Sequence, residues 1–316
     1  SMQTKNKIII VSGPTATGKT HISIELAKRF DGEVVNFDSL VFYKELSIGT
    51  AKPTIAEREK VPHHLVGTHS IFKPINAADF VRVATPIIQE CHQRNKLVIL
   101  VGGSGFYLQA LINGMYDSPH TLPEITDRSD ILYLKEGIEP FIQILKQHDV
   151  ESFERYHIND HYRVRRAVEH FWQNGSKFSK IRQEKEDAKK QSPKDKFGWK
   201  IKHLYLDIPK DDHLKIIDQR TQKMISDGLI KEVENLLNTG ANGSEKPLNS
   251  IGYKETVSYI RGDFKSLDDY TERLSINTRR LAKSQRTWFK KVEKNSYNSL
   301  TETETLFHDC EYFLKE

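Results

Sequence analysis

Lys7-Ile8-Ile9-Ile10-Val11-Ser12-Gly13-Pro14-Thr15-Ala16-Thr17-Gly18-Lys19-Thr20 is the stretch on which the reading of this chain turns. The continuous apolar run Ile8 to Val11 is expected of a strand covered on both faces. Gly13 to Thr20 fits G-x-x-x-x-G-K-[ST], and a helical pattern with Ile22, Leu26 and Phe30 follows. Strand, glycine turn and helix in that order form a phosphate cradle. The glycines let the backbone wrap closely, so successive N–H groups and the helix N-terminus point at phosphate oxygens. Gly13, Pro14, Thr15, Ala16, Thr17, Gly18, Lys19 and Thr20 are therefore the candidate diphosphate-binding loop. Lys19 adds a mobile positive charge. The Thr20 hydroxyl can complete the shell of a phosphate-bound Mg²⁺, so Mg²⁺ is the expected cofactor and Thr20 its candidate ligand.

Outward from this loop, the first hundred residues alternate strand and helix patterns, the signature of a parallel sheet. Asp31-Gly32 stops the first helix, and Glu33 to Phe37 reads as a second strand. Leu97 to Val101 is a third, ending in Gly102-Gly103 before a helical pattern through Tyr107, Leu108 and Leu111. Leu204 to Ile208, closed by Pro209, is a late strand of the same sheet. The expected fold is α/β: a P-loop NTPase-like parallel sheet core with a mainly helical inserted subdomain. Residues 1–112 and 201–316 are read as the core with its C-terminal helices, and 113–200 as a helical, basic insertion. The insertion begins near the loop Asp117-Ser118-Pro119 and ends in the charged run Lys185 to Lys196. Further helices are expected at Leu214 to Ile225, Leu229 to Leu237 and Leu267 to about Val292. In the last of these, Leu274, Leu281 and Trp288 recur every seven residues and would face a core.

Composition narrows the function. Of the 316 residues, 37% are apolar, and no run approaches the roughly 20 needed to span a bilayer, so no membrane association is expected. Two cysteines, Cys91 and Cys310, exclude a disulfide framework and a thiolate zinc site, and a reducing cytoplasm is the expected location. The net charge is only +5, but its distribution is uneven. From His161 to Arg182 six Lys/Arg stand against Glu169 alone, and from Arg273 to Lys294 eight stand against Glu293 alone, which suggests a polyanionic partner. Within the first stretch, Arg163, Arg165 and Arg166 beside Tyr162 mix phosphate charge with an aromatic for base stacking. In the second, Arg279, Lys283, Arg286 and Lys290 fall on one helix stripe. His157 and His161 are four apart, but no third ligand has a metal-site spacing.

Asp38 ends the second strand, read as adjacent to the loop strand, and in open α/β sheets ligands bind beyond the strand ends. A carboxylate there can take a proton from a nucleophile whose target carries a diphosphate leaving group held in the loop. The bland alternative is an N-cap for the next segment. Hydrolytic machinery is not evident, because the Leu97 to Val101 strand ends in glycine rather than an acid.

The chain resembles the tRNA dimethylallyltransferase family, of bacterial type, from Lys7 to about Lys291. The resemblance is carried by Gly13 to Thr20, Asp38-Ser39 with Tyr43-Lys44, Ile48-Gly49-Thr50-Ala51-Lys52-Pro53, Pro62-His63-His64 and Ala77-Ala78-Asp79-Phe80. Val101-Gly102-Gly103-Ser104, His157-Ile158-Asn159-Asp160, Arg163 to Glu169, Ile251 to Glu255, and Thr278-Arg279 through Gln285 to Trp288 complete it. It implies transfer of a dimethylallyl group from dimethylallyl diphosphate to the exocyclic amine of an adenosine next to the anticodon, with release of diphosphate. Asp38 then matches the general base, Lys19 and Thr20 act with it in catalysis, and Arg220 grips the diphosphate. Asp38, Ser39, Leu40, Val41, Ser104, Tyr162, Arg163, Val164, Arg165, Arg166, Asn249, Ser250, Ile251, Gly252, Tyr253 and Lys254 match tRNA-contacting segments. Thr126 stands where some members carry an RNA-contacting arginine, with Arg128 as a substitute. The implied partners are a tRNA anticodon stem-loop and dimethylallyl diphosphate, with the protein acting as a monomer. The residues leave alternatives open: the same chemistry on free adenine nucleotides, a P-loop small-molecule kinase with Asp38 as base, or a non-enzymatic RNA-binding protein.

Overall fold

A computed structural model describes residues 2–115 and 121–316; the expected loop Asp117-Ser118-Pro119 lies outside the described residues. Six strands, β1 (Lys7–Ser12), β2 (Gly32–Asn36), β3 (His63–His64), β4 (Leu97–Val101), β5 (Lys200–Asp207) and β6 (Asn295–Asn298), form one sheet in the order β3-β2-β4-β1-β5-β6. Every pairing is parallel. Ile8 and Ile10 of β1 enter one apolar cluster while Ile9 and Val11 enter a second, and all four are fully buried, as the period-2 alternation of a doubly covered strand requires.

Helices α1 (Lys19–Arg29), α2 (Ile55–Lys60), α3 (Ala77–Gln93) and α4 (Gly105–Asn113) belong to the first part of the core. The insertion holds α5 (Pro123–Glu136), α6 (Glu139–His148), α7 (Val150–Arg155), α8 (His161–Asn174), α9 (Phe178–Lys190) and α10 (Pro193–Phe197). The C-terminal part adds α11 (Lys210–Ser226), α12 (Leu229–Asn238), α13 (Tyr253–Ile260), α14 (Leu267–Phe289) and α15 (Thr303–Lys315). Among the described residues no helix is long and apolar enough to cross a membrane.

The chain divides into two compact units: Asn113–Lys196, and the remainder up to Ile112 and from Phe197 onward. The second boundary falls at Lys196, not at 200. Trp199 is buried, stacks on Phe197 and donates its indole N–H to Gln89 of α3 at 3.0 Å, so the chain has rejoined the core before β5 begins. The insertion has its own small core of Phe141, Ile142, Leu145, Val164, Ala167 and Val168. Asp149 ties three parts of it together, accepting from Ser152 at the start of α7 and from the N–H and hydroxyl of Ser179 in α9.

One expectation is corrected. β2 is not adjacent to the loop strand, because β4 lies between β2 and β1. Its end residue explains how Asp38 still reaches the loop: a Cβ on Gly102 would come within 2.7 Å of the Asp38 nitrogen and 2.6 Å of Phe37. The bare backbone at the end of β4 lets the ends of β2 and β1 face each other across it. The glycines that carried no acid for hydrolysis thus have a steric role.

Candidate active site

The loop after β1 turns through positive φ at Gly13 (151°), Ala16 (64°) and Gly18 (89°), a sequence of conformations that curls it back on itself. Lys19, the first residue of α1, is only 8% exposed, and its Nζ donates to the carbonyls of Gly13 and Pro14, both at 2.9 Å. Burial pushes its pKa down to about 8, with Arg220 adding to the effect and Asp38 opposing it. Arg220 of α11 is likewise lowered by burial and supported by Asp38. Its near neighbour in sequence, Asp218, is taken by Arg279 at 2.7 and 2.8 Å. Arg220 forms no ion pair among the described residues.

Asp38 is held by a turn. Its N–H donates to Asn36 Oδ1 at 2.8 Å, and its Oδ1 accepts from the Leu40 N–H at 3.2 Å. No helix starts there, since the next is α2 at Ile55, so an N-cap role does not apply. Thr15, Lys19, Asp38, Gly103, Arg220 and Gln285 border one cavity of about 500 Å³. Ser39, Leu40, Ser104, Asn249, Ser250, Ile251 and Gly252 line it too, as do Leu281 and Trp288, so the seven-residue repeat of α14 faces a cavity wall as well as the core. Behind it, Thr20, Asn36, Asp38 and His63 border a smaller space of about 30 Å³.

The segment Ile48 to Pro53 is pinned against this cavity. Glu232 of α12 accepts from the N–H groups of Ser47 and Ile48 through one oxygen, and from the Tyr253 hydroxyl at 2.6 Å through the other. That hydroxyl accepts from the Gly49 N–H at 3.1 Å. The Thr20 hydroxyl donates to the Ala51 carbonyl at 3.4 Å.

Three residues of the expected tRNA-contacting segments have buried side chains. Tyr253 is fully buried in that strut, Val41 is 3% exposed in the core, and Val164 is 2% exposed in the insertion core. Their side chains pack against neighbours within the chain. Arg165 also turns inward, pairing with Asp130 at 2.5 Å, donating to Ser129 and lying 4.4 Å over the Tyr133 ring. Arg128, the proposed substitute for an arginine at 126, stacks 4.0 Å over Trp172. On the basic stripe of α14, Arg279 and Arg286 pair with Asp218 and Asp207, while Lys283 and Lys290 are exposed. Lys254 is exposed on α13. Within the insertion, Tyr162 is 78% exposed, and it borders a pocket of about 310 Å³ with Arg163, Arg166, Arg155, Tyr156 and Phe178.

Glu33, His64 and Cys91 bring three metal-ligand atoms within 4.8 Å of one another. Arg94 donates to both Glu33 oxygens at 2.6 and 2.9 Å and holds that carboxyl down at about 2, so the cluster already contains its cation. Cys91 and Cys310 are buried free thiols, each pushed up to about 12 by burial.

A family model described as IPP transferase matches residues 41–292. The chain belongs to that family. It is 38% identical over 287 residues to tRNA dimethylallyltransferase 2 of Geotalea daltonii, covering 91% of this chain and 86% of the relative. It is 37% identical to tRNA dimethylallyltransferase of Geobacter sulfurreducens, covering 91% and 90%. Among solved structures, the full-length tRNA isopentenylpyrophosphate transferase of Bacillus halodurans superposes with a TM-score of 0.70 at 30% identity, covering 98% of this chain and 96% of that one. A eukaryotic dimethylallyltransferase acting on tRNA gives 0.66 at 27%, covering 93% and 74%. The P-loop core expected from the sequence is the fold of this family.

Sequence reasoning gave no role to Gln285 or His213, and read Trp288 only as a core-facing residue. Gln285 and Trp288 lie in the C-terminal stretch that carried the resemblance, but only the fold brings them to the loop. His213 had no signal, because it acts on a backbone carbonyl 198 residues away.

Proposed function

We propose that this chain transfers the dimethylallyl group of dimethylallyl diphosphate to the exocyclic amine of an adenosine next to the anticodon of a tRNA, releasing diphosphate. The observation that carries it is the meeting of Lys19, Arg220 and Asp38 at one cavity on the phosphate loop of a family member. An adenine amine is a weak nucleophile, so removing its proton as the C–N bond forms lowers the barrier. Asp38 takes that proton; the allylic C–O bond breaks, and its electrons leave with the diphosphate. Lys19, Arg220 and the loop N–H groups meet the charge that develops there. The Thr20 hydroxyl supplies a hard oxygen donor at the smaller cavity, one that suits Mg²⁺. Bound there, Mg²⁺ would neutralise part of the diphosphate charge.

The target base must leave its stack to enter the cavity. Ser39, Leu40, Ser104 and Asn249 to Gly252 at the cavity are proposed to receive it. Tyr162, Arg163 and Arg166 of the 113–196 unit, with Lys254, are proposed to hold the rest of the stem-loop. The protein is proposed to act as a monomer, and on a tRNA substrate in the cytoplasm.

The test incubates the protein with Mg²⁺, labelled dimethylallyl diphosphate and unmodified tRNA, beside reactions with AMP and with ATP. Label entering tRNA, with the rate falling by about 10²–10⁴ in Asp38→Ala, is expected. Label entering AMP alone would change the acceptor, and ADP formed from ATP without transfer would overturn the reading.

A further inference from the structure

Both polar ends of Thr15, the third residue of the phosphate loop, are occupied by side chains from outside the loop. Its N–H donates to Gln285 Oε1 of α14 at 2.9 Å, and its carbonyl accepts from His213 Nε2 of α11 at 2.8 Å. His213 carries its proton on Nε2, because its Nδ1 accepts from the Arg286 guanidinium, which Asp207 holds at 3.0 Å. Gln285 is oriented at its other end, where Nε2 donates to the Gly103 carbonyl at 3.4 Å, so its own carbonyl faces Thr15.

Loops of this pattern bind anions by aiming unused N–H groups at phosphate oxygens, and the number of such groups bounds the number of phosphates held. Here the Thr15 N–H is already used. In its place the rim shared by Thr15, Lys19, Gly103 and Gln285 presents the negative end of a carboxamide dipole. A phosphate chain reaching past two units toward this rim meets an acceptor instead of a donor, and must break the Thr15–Gln285 bond to bind. The Pro14 carbonyl, on the same peptide plane as this N–H, accepts from the Thr17 hydroxyl and from Lys19 Nζ, which keeps that plane from rotating to offer its N–H elsewhere, while His213 fixes the next plane.

We propose that Gln285 is a specificity-determining residue that limits the loop to a diphosphate and turns away triphosphates, with His213 and Arg286 as positioning residues for the adjoining peptide through the Thr15 carbonyl. The proposal rests on the reading of the loop as a diphosphate site. It gives a physical reason why a loop of a pattern shared with triphosphate-binding proteins serves a diphosphate.

The test is calorimetric titration of the full chain, in Mg²⁺, with inorganic diphosphate and with inorganic triphosphate. The wild type is expected to bind diphosphate more tightly, although triphosphate carries more charge. Gln285→Ala frees the N–H and is expected to shrink that preference by about tenfold, the worth of one hydrogen bond to a charged group. Gln285→Glu keeps an acceptor, adds a full negative charge and is expected to widen the preference. Equal or tighter triphosphate binding by the wild type overturns the proposal without any variant, as does an unchanged ratio in a Gln285→Ala protein that melts like the wild type. If Gln285→Ala does not fold, the wild-type ratio and Gln285→Glu decide. A wild type that binds neither anion overturns the diphosphate reading itself, and prenyl transfer measured in parallel separates that failure from this one.

Discussion

Lys19 of the core is 8% exposed and already donates two hydrogen bonds, whereas Arg163 of the insertion keeps 65% of its side chain in solvent with one loose pairing to Asp160 at 3.5 Å. The core spends stability to hold a charge in place before any ligand arrives. The insertion spends almost nothing, and leaves Arg163 and Tyr162 free to follow the shape of a partner. This is how a small rigid anion and a large irregular polyanion are each best met: the first by preorganised burial, the second by solvated, adaptable charge.

The sharpest way to break this contrast is Lys19→Met. Diphosphate affinity should fall by about a hundredfold or more, as expected for a desolvated charge pair. The melting temperature at pH 7 should nevertheless be no lower than that of the wild type, because the variant removes a buried charge. Calorimetry and thermal melting check the two halves. The same residue sets a pH test. Its folded pKa of about 8 lies below the unfolded 10.5, so between these values the unfolded chain binds more protons and stability rises with pH. Diphosphate affinity, which needs the ammonium, falls as pH rises through about 8. A parallel rise or fall of the two would show that Lys19 is not the titrating group.

A smaller effect is expected at the steric contact behind Asp38. Gly102→Ala places a Cβ against the Asp38 nitrogen and Phe37, and should cost about 1–3 kcal/mol of stability by overpacking. It should also lower the transfer rate while diphosphate affinity is retained, since the loop follows a different strand. Denaturant melts with separate kinetic and binding measurements test this.

The smallest effect belongs to the insertion. Arg163→Ala should weaken tRNA binding uniformly, reduce the salt slope of that binding by about 1, and leave diphosphate affinity untouched. Filter binding across a salt series measures it. Arg165→Ala is the informative control: its guanidinium is engaged with Asp130 and Ser129, so its loss should register in the melting curve before the salt slope.

What the sequence made legible follows the same division. Strands β1, β2, β4 and β5 and the loop could be read because each is a local pattern, and Asp38 because strand ends have a known chemical use. Burial of Tyr253, Val41 and Val164 could not be read from motif membership, since a residue in a recurring motif can support a site as well as touch its ligand. Arg163 and Arg165 are two apart in the same basic cluster, yet one faces solvent and the other a carboxylate 35 residues away. The short β3 and the polar β6 gave no strand pattern; both are edge strands that depend on neighbours for their pairing. The adjacency of β2 and β1 failed because strand order depends on crossovers, which periodicity does not encode.

The bond between Thr15 and Gln285 spans 270 residues, and the edge strand β6 is contributed by residues 295–298. During synthesis the phosphate loop is made well before α14, so it stays incomplete until that later segment has been added. Until α14 has been translated, the Thr15 N–H has no partner and the cavity lacks one wall. A nascent chain that has not reached α14, or one cut before it, therefore carries an open anion-binding loop without its finished pocket, and competence arrives only once α14 has been made.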